Sequence, residues 1–186
     1  MRELLPQAYL IGLIGLLAVA AFAVGRQVLR VRRDEAALAR LGTNAGSEGA
    51  LKDSAGLYEL GSVQLRKRLY DQAVDSLRQA LRRAEGERAP DEALALIQNA
   101  LGFALAAQEK YPAAIRHYRA ALQCRADYPV ALNNLAFALE KQQKPGEARQ
   151  LYERVLEMEA GNATARRRLR LLQRRDLSDG SGGDPA

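Results

Sequence analysis

NALGFALAAQEKYPAAIRHYRAAL at residues 99–122 and ALNNLAFALEKQQKPGEARQLYERVL at residues 131–156 decide the fold. Laid over one another, they place Leu101-Gly102 on Leu135-Ala136, Ala114 on Ala148 and Tyr118 on Tyr152, each pair 34 residues apart. An earlier stretch, YELGSVQLRKRLYDQAV at residues 58–74, carries the same order: Leu60-Gly61, Ala73 and then Leu77 in the aromatic place. From Ala73 to Ala114 the step is 41 residues, so seven extra residues enter, and EGERAPD at residues 85–91, with Gly86 and Pro90, reads as the loop that takes them. A period of this length belongs to stacked helix hairpins, none of which can bury its apolar face alone. Prolines mark the helix starts, because proline is tolerated in the first turn and almost nowhere later. Pro90, Pro112, Pro129 and Pro145 fall at four such starts. The spacing predicts helix pairs at 54–67 with 70–84, 91–108 with 112–125, and 129–141 with 145–158.

These letters resemble the tetratricopeptide pattern W-x2-L-G-x2-Y…A-x3-F…P, in which small residues let two helices approach and large ones fill the gap between them. The departures are visible: Leu57, Gln98 and Leu132 stand in the Trp places, and Gln64, Leu105 and Leu139 in the Tyr places. The expected fold class is all-α, a tetratricopeptide solenoid of three helix pairs with repeats at about 54–87, 95–128 and 129–162. ATARRRLRLLQRR at 163–175 should close it as a capping helix with a polar outer face, and residues 176–186 should be a disordered tail.

Composition agrees. Of 186 residues, 48% are apolar but only 5% aromatic, with no Trp, and the unbranched side chains favour helix over sheet. One Cys and one His exclude a disulfide framework and any multi-ligand Cys/His metal centre. His117 and Cys124 lie seven apart on one helix, separated by about 10.5 Å of rise, too far for a proton to pass between them. No P-loop, GxSxG, HExxH or GxGxxG occurs. The expectation is no enzyme, no cofactor and no metal.

Outward from the repeats, LLPQAYLIGLIGLLAVAAFAVG at residues 4–25 has no charge and spans about 33 Å as helix, enough to cross a bilayer. Small-x-small triplets at 18–20 and 21–23 also fit a cleaved signal peptide. Charge favours an uncleaved anchor: Arg2 and Glu3 cancel before the segment, whereas Arg26, Arg30, Arg32 and Arg33 follow it and hold that side in the cytoplasm. Residues 1–41 are then the anchor and its helical extension, 42–53 a Gly-rich linker and 54–175 the repeat domain.

The net charge of +6 permits an anionic partner. Arg166, Arg167, Arg168, Arg170, Arg174 and Arg175 form one cluster. Without interleaved aromatics it offers no base stacking, so it reads as the solvated face of the cap and no nucleic acid is expected. Asn162-Ala163-Thr164 is formally a glycosylation sequon, explained as well by helix capping. The first helices of the pairs should line a concave partner-binding groove with Tyr58, Ser62, Arg66, Asn99, Phe103, Ala106, Asn133, Phe137 and Lys141. Tetratricopeptide domains that grip chaperone tails use Lys, Asn and Arg. The corresponding positions here, Tyr58, Ser62, Ala100, Val130 and Asn134, carry no cation, which argues against a co-chaperone.

The order of a short ELLPQAYL, one apolar helix, QVLRVRRDE and then these repeats resembles the cyanobacterial and plastid membrane-anchored tetratricopeptide proteins of photosystem I assembly. That resemblance implies a thylakoid location, repeats on the cytoplasmic or stromal side, and photosystem I subunits or assembly intermediates as partners. The alternative within the same fold is a general bacterial inner-membrane scaffold for envelope or secretion machinery.

Overall fold

The computed structural model describes residues 16–22, 26 and 53–180, with side chains to Arg175. Met1–Ser47 and Glu48–Ala186 are two separate units. In the first, residues 16–22 and 26 are helical; apart from these and Asp53, the expected anchor, its extension and the linker lie outside the described residues. Among the described residues no helix is long and apolar enough to cross a membrane.

The second unit contains seven helices among the described residues: α1 (Ser54–Arg66), α2 (Tyr70–Gly86), α3 (Asp91–Ala107), α4 (Tyr111–Cys124), α5 (Pro129–Lys141), α6 (Pro145–Met158) and α7 (Ala163–Gly180). Each packs on the next, and α1 also meets α3 as α3 meets α5, so the odd-numbered helices share one face. The starts follow local chemistry. Asp53 caps α1 by accepting from Gly56 N at 2.8 Å, and Asn162 caps α7 by accepting from Ala165 N at 3.0 Å. Pro129 and Pro145 open their helices, Pro112 sits in the first turn of α4, and Pro90 immediately precedes α3.

The seven-residue insertion is not a loop. α2 and α3 have 17 residues each, whereas α4 and α6 have 14 and α1 and α5 have 13. Three extra residues thus lengthen α2 and four lengthen α3. The connection left between them, residues 87–90, equals those at 125–128 and 159–162. Gly86 lies inside α2 because helix continues to satisfy its backbone there, and nothing within 4 Å crowds the site. Of the expected tail, residues 176–180 continue α7, since DLSDG prolongs the helical backbone past Arg175 without a proline to stop it, and residues 181–186 lie outside the described residues.

Four helix ends close in the same way. Arg68, Arg88, Glu109 and Gln143 adopt left-handed backbone with φ of 60, 53, 61 and 58°. The next residue's N–H reaches back five positions, Leu69 to Gln64, Ala89 to Ala84, Lys110 to Leu105 and Lys144 to Leu139, at 2.9–3.0 Å. This is the Schellman closure, which satisfies otherwise orphaned carbonyls and usually employs glycine.

Within each hairpin one large side chain fills the space left by a small one. Tyr118 and Tyr152 are fully buried, as is Leu77, opposite Gly102, Ala136 and Gly61. A Cβ on Gly102 would lie 2.7 Å from Tyr118 Cε1 and 3.2 Å from the Ala114 carbonyl oxygen; one on Gly61 would lie 2.6 Å from Leu77 Cγ. Burial drives both phenol pKa values above their ordinary range, so the tyrosines remain neutral. The Tyr152 hydroxyl donates to Glu140 Oε1 at 2.6 Å, which satisfies its one polar atom. Gly102→Val is expected to destabilise the chain by roughly 1–3 kcal/mol through overpacking. Gly86→Ala, facing open space, should be neutral or stabilising by up to about 1 kcal/mol. Thermal melting followed by helical circular dichroism checks the pair; an unchanged midpoint for Gly102→Val would show that α3 and α4 do not meet at that point.

Candidate functional site: the face of the odd-numbered helices

All nine expected groove residues lie on α1, α3 and α5 at partly covered or exposed positions: Asn99 with Asn133 and Phe103 with Phe137 are 34 residues apart, and Tyr58 and Ser62 on α1 precede Asn99 and Phe103 by 41, with Arg66 one turn further on. Ala106, near the end of α3, is partly covered, and Lys141, the last residue of α5, is exposed. The structure distinguishes three roles among them.

The asparagines join helices. Asn134 Nδ2 donates to Asn99 Oδ1 at 3.0 Å, and Asn99 Nδ2 donates to the Tyr128 hydroxyl at 3.3 Å. Asn133 Nδ2 donates to Asn162 Oδ1 at 3.4 Å, the same oxygen that caps α7, while Asn133 Oδ1 is buried without a donor. These amides tie each repeat to the next. The Arg125 guanidinium lies 5.1 Å from the Tyr128 ring centroid and covers its outer side. Burial pushes the Tyr128 phenol up, with Tyr58 nearby adding to the shift. Sequence reading assigned Asn99 and Asn133 to a partner; their mutual spacing of 34, with Asn134 one residue on, is the signal that consecutive helices meet through them.

The two phenylalanines are not equivalent. Phe103 is 46% exposed, and Leu96 and Val130, also 34 apart, are 39% and 53% exposed. Phe137 is partly covered because cations lie over it: Arg168 of α7 at 4.7 Å from the ring centroid and Lys141 at 5.6 Å. Arg168 also pairs with Glu140 at 3.7 Å. The final helix therefore places an arginine on the aromatic that the sequence offered as an open anchor, and the apolar opening is centred on Phe103.

His117 and Cys124 stand apart. His117 Nδ1 meets Gln98 Oε1 at 2.7 Å, an intra-repeat contact between α4 and α3. Its pKa is lowered, chiefly by burial and then by Arg116 and Arg78. Cys124 at the end of α4 has its thiol pKa raised by burial and by Asp91, so it is a poorer nucleophile than a free thiol. Among the described residues no group of three or more His, Cys, Asp or Glu could hold a metal ion.

The comparison with known proteins agrees with this geometry. The tetratricopeptide repeat profile matches residues 53–127 and 93–160. The chain is 34% identical over 168 residues to the tetratricopeptide repeat domain-containing protein PYG7, chloroplastic, of Arabidopsis thaliana, covering 90% of this chain and 54% of that protein. It thus spans about half of that relative's length. It is 32% identical over 180 residues to ycf37 of Guillardia theta, covering 96% of this chain and 98% of ycf37. In fold it is similar to a chain of the APC/C hetero-tetramer Cut9-Hcn1, with a TM-score of 0.72 and 20% identity over 80% of this chain and 28% of that one. A repeated small-against-large interlock, the matching profile and a full-length relative together show that the chain belongs to the tetratricopeptide repeat family and is a homologue of the plastid ycf37 proteins.

Proposed function

We propose that the chain is a membrane-tethered scaffold that holds a protein partner on the face of α1, α3 and α5 and assists photosystem I assembly or stability. The observation that carries the binding reading is the exposure of Phe103 together with Leu96, two turns earlier on the same face of α3, and Val130, at the Leu96 place of α5. An aromatic left half exposed on a face that repeats aliphatic residues is the kind of anchor that binding energy concentrates on. The likeness to a chloroplastic protein and to ycf37 supports a photosynthetic setting. The photosystem I role rests on the order of anchor, arginines and repeats read in the sequence.

The tether reading is supported by residues 16–22. Leu16, Leu17, Val19 and Phe22 are all more than half exposed on that helix, and a helix apolar on every side needs lipid or protein around it. Arg26 lies 5.9 Å from the Phe22 ring centroid, one turn along, at the start of the expected cationic flank with Arg30, Arg32 and Arg33. Tethering raises the local concentration of the groove near other membrane proteins without any catalytic step. The proposed location is the thylakoid, with the repeats on the cytoplasmic or stromal side.

Two outcomes are expected. Protease added to the cytoplasmic face of sealed thylakoid vesicles should digest the repeats; protection from that face, or a mature N-terminus near Ala21–Val24, would overturn the topology. In capture of photosystem I intermediates by tagged full-length chain, Phe103→Ala should lower affinity by about thirtyfold, the equivalent of about 2 kcal/mol. A His117→Ala, Cys124→Ala variant should capture as the unaltered chain does. Undiminished capture by a normally folded Phe103→Ala chain would remove the groove reading.

A further inference from the structure

Residues 53–165 carry fifteen lysines and arginines against fifteen aspartates and glutamates, so the three hairpins are neutral; residues 166–175 then add six arginines and no acid. Several hairpin charges pair locally, Arg119 and Lys144 with Glu147 and Arg154 with Asp127. In α7 the position differs. The guanidinium groups of Arg166, Arg167, Arg170 and Arg174 make no ion pair or hydrogen bond among the described residues, and all four residues are exposed.

The 34-residue register divides these arginines between two faces. Arg166 and Arg170 occupy the places of Leu132 and Ala136, which α5 buries against its own hairpin partner. They coat the end of the stack. Arg167, Arg168 and Leu171 occupy the places of Asn133, Asn134 and Phe137 and so continue the groove face. The Arg168 contact with Phe137 fixes that orientation, and a cleft of about 260 Å³ lined by Ala163, Thr164, Arg167 and Arg168 opens beside it. Lys141 of α5 lies over the same ring from the other helix. Leu171, 46% exposed, keeps an apolar residue at the repeating position.

We propose that this end of the groove is an acid-binding subsite: Arg167, Arg168 and Lys141 receive aspartate or glutamate side chains of a partner segment whose apolar residue sits at Phe103. The proposal rests on the scaffold reading above and names the chemistry of the segment it would hold. Coulomb attraction selects carboxylates, and the neutral hairpins leave no competing field of the same sign. The guanidinium of Arg167, unpaired among the described residues, can accept a carboxylate in two-pronged geometry. Arg168, already shared with Glu140, contributes charge more than a free donor set. From α3 to α7 are two helix-to-helix steps, roughly 20 Å, which an extended segment crosses in about six residues. The expected ligand therefore carries its acids about six residues from its apolar anchor.

The full-length chain in phosphatidylcholine nanodiscs, used to select from a library of random peptides, tests this. Selected peptides should be enriched in Asp and Glu at about that separation from an aromatic or aliphatic residue. Their affinity, read by fluorescence anisotropy, should fall on the order of tenfold or more for Lys141→Glu with Arg167→Glu, and should become less sensitive to salt. Arg166→Glu with Arg170→Glu makes the same change in net charge on the end face and should leave affinity nearly unchanged. Selection without acid enrichment, or equal loss in the two charge-reversed chains, overturns the subsite. So does loss of binding when phosphatidylglycerol replaces part of the lipid, which would assign the arginines to the membrane surface. Peptides that bind equally well to Phe103→Ala would instead sink the groove reading itself, a separate result.

Discussion

Everything in the repeat unit depends on one interlock, a large side chain of an even-numbered helix seated where the odd-numbered helix carries almost none. Tyr118 against Gly102 and Leu77 against Gly61 show how close the approach is, since even a methyl group at either glycine would collide. The third hairpin uses Ala136 opposite Tyr152 and keeps the ring fully buried. Removing a buried ring of this size costs roughly 3–5 kcal/mol, far more than any exposed ion pair in the molecule contributes. Because the interlock sets the distance between the two helices of a hairpin, it also sets which face of the odd-numbered helices remains uncovered. That uncovered face is a consequence of packing on its opposite side.

This explains what was legible in the sequence. Small-large pairs at fixed spacing are a packing requirement written directly in residue types, and prolines can stand at few places in a helix, so helix positions could be read from Gly102, Tyr118, Pro129 and Pro145. The turns were not readable. A left-handed residue is ordinarily glycine, yet Arg68, Arg88, Glu109 and Gln143 take that conformation because the Schellman hydrogen bonds around them offset its modest cost. Conversely Gly86 marked a loop and lies in a helix. Lengthening α2 and α3 keeps more backbone groups bonded than a long loop would, so the insertion became two extra turns of helix rather than an excursion.

The stripe of partly covered and exposed residues on the odd-numbered helices was legible, but the roles within it were not. Periodicity places Asn99, Phe103, Asn133 and Phe137 at corresponding positions, and the structure keeps that correspondence. What periodicity cannot supply is the neighbour across the interface: Asn134 for Asn99, Asn162 for Asn133, Arg168 for Phe137. An amide on an exposed stripe binds whatever lies within reach, and in a stack the nearest polar group belongs to the next repeat. Phe103 stays open because the residue of α5 that corresponds to Arg168 is Asn134, whose shorter side chain turns to Asn99 instead.

The final helix shows two different reasons for the same residue type. A solenoid must end on a surface that does not invite another hairpin, and polar substitution of Leu132 and Ala136 by Arg166 and Arg170 at the corresponding positions achieves that. Termination therefore accounts for the arginines on the end face. It does not account for Arg167 and Arg168, which stand at the places where α5 carries Asn133 and Asn134 and joins its neighbours through amide hydrogen bonds. One of them holds Phe137 and Glu140; the other has no partner among the described residues. Arg167 is thus an exposed cation that neither the packing of the hairpins nor the termination of the stack requires.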